Sequence, residues 1–187
     1  MVRSPSAGHR PTGPATTAAV LVVGAASSGA AAWLVLAGHR AAGGVLALLA
    51  AVALILRPRT PDVRRLEQAV FARRVLHRVF EAAVLASVAW VERTGSIRVA
   101  ILALVCLGSS YVASYQRARG EGLGYHEEEG TAYRATTAVL PALALLTGWI
   151  EPVLWAFAAI TASAGMVRAA NVAVQERRAP RRGTLSS

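Results

Sequence analysis

The chain has 187 residues, 55% of them hydrophobic, with a mean hydropathy of +0.45 and a formal net charge of +10. Its apolar residues lie in long uncharged runs, which excludes an ordinary soluble domain as the simplest reading, because a helix in water needs a polar face. Every Lys/Arg position is Arg, and the arginines cluster between apolar runs, so the basic partner is a membrane surface and not nucleic acid.

Residues 1–15 read as a disordered arm rich in Pro, Ser and Gly. A basic start before an apolar stretch is also the pattern of a secretion signal. Here, however, the apolar run continues to Leu36 and further runs follow, so 16–38 reads as a first membrane helix. Its core, 17–37, has no charge, and neither has the second run, 41–56; the short turn Gly38-His39-Arg40 joins them. Runs of this kind suit a bilayer, whose core takes about 20 apolar residues to cross. A third helix is expected over 66–91, polar and basic in its first half and apolar in its second apart from Glu81.

The fourth helix is expected over 97–118 and contains Cys106, the single cysteine, so no disulfide can form within the chain. Cys106 itself reads as a small apolar residue. The fifth, 131–149, contains Pro141, a kink that membrane helices tolerate. The sixth runs over 151–176, and 177–187 reads as a basic disordered tail. The A-A-S-S-G run of the first helix and Ser163-Ala-Gly of the sixth allow close backbone approach in lipid. The expected fold is all-α, a polytopic six-transmembrane-helix bundle.

With six spans both termini share one side. That side holds Arg3, Arg10, seven arginines within 57–78, Arg117, Arg119, Arg134, Arg168 and four in the tail; the other holds Arg40, Arg93 and Arg98. The asymmetry places both termini in the cytoplasm of a multi-pass plasma-membrane protein.

Two clusters are candidates for function. In the third helix Arg73, Arg74, His77, Arg78 and Glu81 lie close together, and positions 74, 77, 78 and 81 share a face by i+3 and i+4 spacing. Either they line a polar cavity, or this half of the helix lies at the interface with its arginines among head groups. Glu81 favours the cavity, being too short to snorkel far. The second cluster closes the fourth helix in SYVASYQRARGEGLG, residues 110–124. Arg117 and Arg119, with Ser114 and Tyr115 as hydroxyl partners, suit a phosphate-binding corner. They equally suit a basic helix end that satisfies the last carbonyls and anchors in anionic head groups. Arg134 carries the same two readings. HEEE, 126–129, has a metal-like composition, but four consecutive residues cannot all face one ion. It reads as a solvated loop whose Glu127–Glu129 suit the positive end of the fifth helix.

The 110–124 run, followed by Gly130-Thr-Ala-Tyr-Arg134, and the stretch HRVFEAAVLASVAW resemble the CDP-alcohol phosphatidyltransferases, and among them the actinobacterial phosphatidylinositol phosphate synthases. The resemblance covers roughly residues 66–176. It implies the family's bundle of six membrane helices and its link to phospholipid biosynthesis. In that family four aspartates, D-x2-D-G-x2-A-R, eight residues, G-x3-D-x3-D, hold Mg or Mn against the CDP diphosphate, a task that needs an array of oxygen ligands. This chain places Arg73 and His77 at the last two aspartate positions and Val52 and Ile55 at the first two. Its one aspartate is Asp62. Tyr133 and Thr137 stand where the family has a Glu and a second Arg.

The resemblance therefore implies a relative without metal ligands, catalytic residues or cofactor. Arg73, His77, Arg78, Glu81, Ser114, Tyr115, Arg117, Arg119 and Arg134 would bind an anionic head group or CDP-diacylglycerol. The partner would be a membrane lipid, a second copy, or an active relative in a heterodimer. An active transferase with a site rebuilt from Asp62, Glu67 and Glu81, and an unrelated channel, transporter or assembly factor, are the alternatives.

Overall fold

Pro14 opens the first helix, at a position where its missing N–H has no partner to lose. Helix α1 (Pro14–Leu36) runs without a charge and closes on Gly38, whose φ of 87° lets the N–H groups of Gly38 and His39 turn back. They bond the carbonyls of Val35 and Leu34 at 3.0 and 2.8 Å, which caps the helix and starts α2 (Arg40–Ile55) at once. The chain continues through α3 (Val63–Glu92), α4 (Ile97–Gly122), α5 (Thr131–Thr147) and α6 (Ile150–Arg178). This computed structural model describes residues 14–55, 63–122, 124 and 131–178, and among them there are six helices and no strand.

The helices are the six that the sequence predicts, with displaced ends. α4 continues to Gly122 instead of stopping at 118, and α6 carries Arg177 and Arg178, which were expected in the tail. α5 passes through Pro141 without ending, although the carbonyl of residue 137 loses its helical donor there. Pro14 and Ala15, expected in the N-terminal arm, belong to α1; the rest of that arm, the tail after Arg178 and the acidic run 126–129 lie outside the described residues, as does Asp62.

Neighbouring helices close a ring in the order α1, α2, α5, α6, α4, α3, and α3 leans across it to touch α2 and α5. Close approach is possible because the facing residues are small. A Cβ on Gly43 would stand 2.7 Å from Val35 Cγ2, and one on Gly44 2.9 Å from the backbone nitrogen of Leu146. Alanines 31, 47, 50, 51, 103, 138 and 142 fill much of the interior, around the larger Leu54, Phe80, Leu85, Leu154 and Phe157. Small residues at helix contacts are what packing in lipid favours, since dispersion and not water exclusion holds such helices together.

The outside is greasier than the inside is large. Every helix exposes at least one bulky apolar side chain, among them Val22, Leu49, Val79, Ile101, Leu143 and Met166. Two stretches, Ile97–Gly122 and Ile150–Gln175, are long and apolar enough to cross a membrane; the apolar stretches Val22–Leu36 and Arg40–Ile55 are shorter.

Candidate anion-binding site

In α3 one stripe turns inward. Its upper part is apolar, Phe80, Val84 and Leu85, and its lower part is ionisable, with Arg73, His77 and Glu81 only 6, 4 and 0% exposed. Spacing of four keeps these three on one line. Arg74 and Arg78 flank that line, half-buried. The inner face is thus 73-77-81 and not the 74-77-78-81 face expected from sequence.

Two other helices bring groups to the same end of the bundle. The last turns of α4 present Ser110 and Arg117, both buried, and the first turns of α5 present Arg134 and Thr137. A narrow pocket results, lined by Arg73, Arg74, His77, Arg78, Arg117 and Arg134. It lies beside the N-terminal turn of α5, the positive end of that helix's dipole, which favours negative charge.

Glu81 forms the floor. Its Oε2 accepts from Arg78 Nη1 at 2.5 Å and from the Ser110 hydroxyl. Arg78 Nη1 also reaches the Ser110 carbonyl at 3.2 Å, which ties α3 to α4. The other carboxylate oxygen, Oε1, lies 3.1 Å from His77 Nε2, a close approach without hydrogen-bond alignment; the aligned partner of Nε2 is the Thr137 hydroxyl on α5, at 3.3 Å. At the rim Glu121 stands 3.4 Å from Arg74 and 3.9 Å from Arg117. Arg168 of α6 donates to the carbonyl of Ala113 at 3.0 Å and lies over the Tyr133 ring at 5.1 Å. It joins α4 to α5.

Of the residues expected to form the site, Arg73, His77, Arg78, Arg117 and Arg134 line the pocket and Glu81 lies under it. Arg119, Tyr115 and Ser114 do not. α4 remains helical past 118, so Arg119 is turned about 200° from Arg117 and is exposed. Tyr115, also two residues from Arg117, is 69% exposed, and Ser114 is half-buried off the pocket wall. Glu67 lies in α3, with its side chain outside the described residues. Sequence reasoning misses Ser110, Glu121, Thr137 and Arg168. Isolated hydroxyls and a lone arginine on apolar helices carry no signal until the helices are packed, although Glu121 follows Arg117 by four residues.

Chemically, the pocket offers guanidinium forks, which match phosphate oxygens in pairs. Among the described residues no three His, Cys, Asp or Glu side chains are grouped so as to hold a metal ion. The chain matches no protein-family model and no curated protein.

Proposed function

We propose that this protein is an integral membrane relative of the CDP-alcohol phosphatidyltransferases that binds an anionic phosphate group and no longer transfers it. The observation that carries this reading is the pocket lining. Five arginines and a histidine from three helices face one space, and the carboxylate beneath them already pairs with Arg78. Such a lining repels Mg²⁺ and attracts phosphate. Arg73 and His77, at positions where the family has metal-binding aspartates, invert the charge of the site, while Tyr133 and Thr137 replace a Glu and an Arg across from them.

The membrane part of the reading rests on the surface. A monomer in water rarely exposes contiguous apolar patches beyond a few hundred Å², whereas here bulky apolar side chains are exposed on every helix. The four tryptophans, Trp33, Trp90, Trp149 and Trp155, all lie near the α1–α2, α3–α4 and α5–α6 turns, at the end away from the pocket. That is an interfacial aromatic belt. The arginine-rich pocket end then faces the cytoplasm, six helices span the bilayer, and the bound group is a lipid head group or a soluble phosphate compound. A homodimer, or a heterodimer with an active transferase, is the corresponding assembly.

The test is CMP release from CDP-diacylglycerol by the detergent-solubilised protein, with inositol phosphate or glycerol phosphate as acceptor and Mg²⁺ or Mn²⁺ present. The expected result is no release with any acceptor. Metal-dependent release above the background of a pocket-disrupted variant overturns the reading and points to an active enzyme with ligands rebuilt around Glu81.

A further inference from the structure

The pocket is closed. Its lining side chains leave about 10 Å³ of open space between them, room for one water and not for a phosphate group. A phosphate group enters only when part of the wall moves, and the lining residues are not equally free to do so. Arg73, His77 and Arg117 are buried, and Arg78 is tied to Glu81 and Ser110. The Arg74 side chain is 40% exposed, and its guanidinium has one partner among the described residues, the Glu121 carboxylate at 3.4 Å. The other oxygen of that carboxylate lies 3.9 Å from Arg117 Nε, so Glu121 stands between two arginines of the pocket. Helix energetics do not account for an acid at this position. Glu121 is one residue from the end of α4, at the negative pole of the dipole, and with Arg117 preceding it the pair has the weaker of the two i,i+4 orders.

From this geometry, and resting on the anion-binding reading above, we propose that Glu121 is the pocket's own resident anion. Its carboxylate holds the place at the mouth that an incoming phosphate group takes, and Arg74 and Glu121 separate to admit that group. The ligand class is a compound with a terminal phosphate, soluble or carried on a lipid. Opening is easy, because both contacts are long and the Arg74 and Glu121 side chains are 40 and 39% exposed. While Glu121 stays in place, its charge opposes other anions at the mouth. Once it leaves, Arg74 and Arg117 can each turn a guanidinium fork toward phosphate oxygens, a better match than one distant carboxylate. Glu121 is thus an internal competitor, and the protein without its charge should bind phosphate more tightly than the natural chain.

The experiment compares the full chain with Glu121→Gln, which keeps the side chain's size and removes its charge. Inorganic phosphate is titrated into each protein in detergent, and each reconstituted protein is tested for binding to phosphatidate in otherwise neutral vesicles. Glu151→Gln, at the far end of the bundle, makes the same change in net charge away from the pocket. The expected result is binding about threefold tighter or more in Glu121→Gln, with Glu151→Gln unchanged. Structural damage lowers binding, so a gain cannot come from a misfolded variant. A gain with phosphate alone assigns the mouth to a soluble ligand, and a gain with phosphatidate alone assigns it to a head group. Binding by the natural chain that is equal or weaker in Glu121→Gln overturns the role of Glu121 and leaves the anion pocket standing. An equal gain in Glu151→Gln also overturns it, since net charge would then suffice. Binding of neither probe by either protein overturns both readings.

Discussion

Arg78 and Glu81 stand one helical turn apart on α3 with 2.5 Å between Nη1 and Oε2, and the carboxylate is fully enclosed by α3, α4 and their neighbours. Removing one member of a buried pair leaves the other charge without compensation, at a cost of about 3 kcal/mol or more. Glu81→Gln should therefore lower the melting temperature of the purified protein markedly. Replacing both, Arg78→Met with Glu81→Leu, should recover most of the loss, since two apolar residues leave no stranded charge. A double variant no better than Glu81→Gln alone would show that the pair does not act as a unit.

The outer ion pairs predict the opposite. Arg98 reaches Glu151 at 2.5 Å at the far end of the bundle, but its side chain is 71% exposed. Exposed pairs contribute between nothing and about 1 kcal/mol. Arg98→Ala should leave the melting temperature almost unchanged, and a drop comparable to that of Glu81→Gln would contradict the assignment of the buried pair as the stronger one.

Packing between α2 and its neighbours gives a prediction that depends on neither function nor membrane. A Cβ on Gly44 would stand 2.9 Å from Leu146 N, and backbone cannot swing aside as a side chain can. Gly44→Ala should force α2 and α5 apart and cost about 1–3 kcal/mol. Gly108, in the middle of α4, has nothing within 4 Å of the same position. Gly108→Ala should be neutral, or stabilising by about 0.5–1 kcal/mol through helix propensity. Thermal melts of the two variants side by side check the contrast.

Sequence patterning exposed the helices more readily than the site, for a physical reason. Uncharged runs such as 17–37 and 41–56 suit one conformation, the helix, and Gly38 between them, like Gly148 between α5 and α6, marks a turn at a left-handed position that favours glycine. The pocket depends on rotation, and α3 carries charge on several faces in its first half. Arg73 and Arg74 are equivalent by composition, and only packing against α4 and α5 turns the 73-77-81 line inward. The end of α4 posed the same problem. With the helix stopped at 118, Arg119 could join Arg117; with it continued to Gly122, the two point apart. Ser110 and Thr137 were illegible because a hydroxyl on an apolar helix usually bonds its own backbone. Here their hydroxyls meet Glu81 and His77, which come from another helix.

The single thiol permits a direct check of the membrane reading. Cys106 is 0% exposed, and its Sγ donates to the Leu154 carbonyl at 3.3 Å, between α4 and α6. It should resist maleimide in the folded protein and react only after denaturation, so the natural chain is a silent background. Thr94→Cys then places a reactive thiol in the exposed α3–α4 turn, and Arg119→Cys places one on the exposed face at the pocket end. In intact cells a membrane-impermeant maleimide should label the first and spare the second, and permeabilisation should make both react. The tryptophan-rich end would then face outward and the arginines inward, as the charge asymmetry requires. Labelling of Arg119→Cys but not Thr94→Cys would invert the bundle, placing the pocket outside the cell. Protection of both in intact cells would mean that the α3–α4 turn does not reach the outer surface, and the six-span arrangement would fall with it.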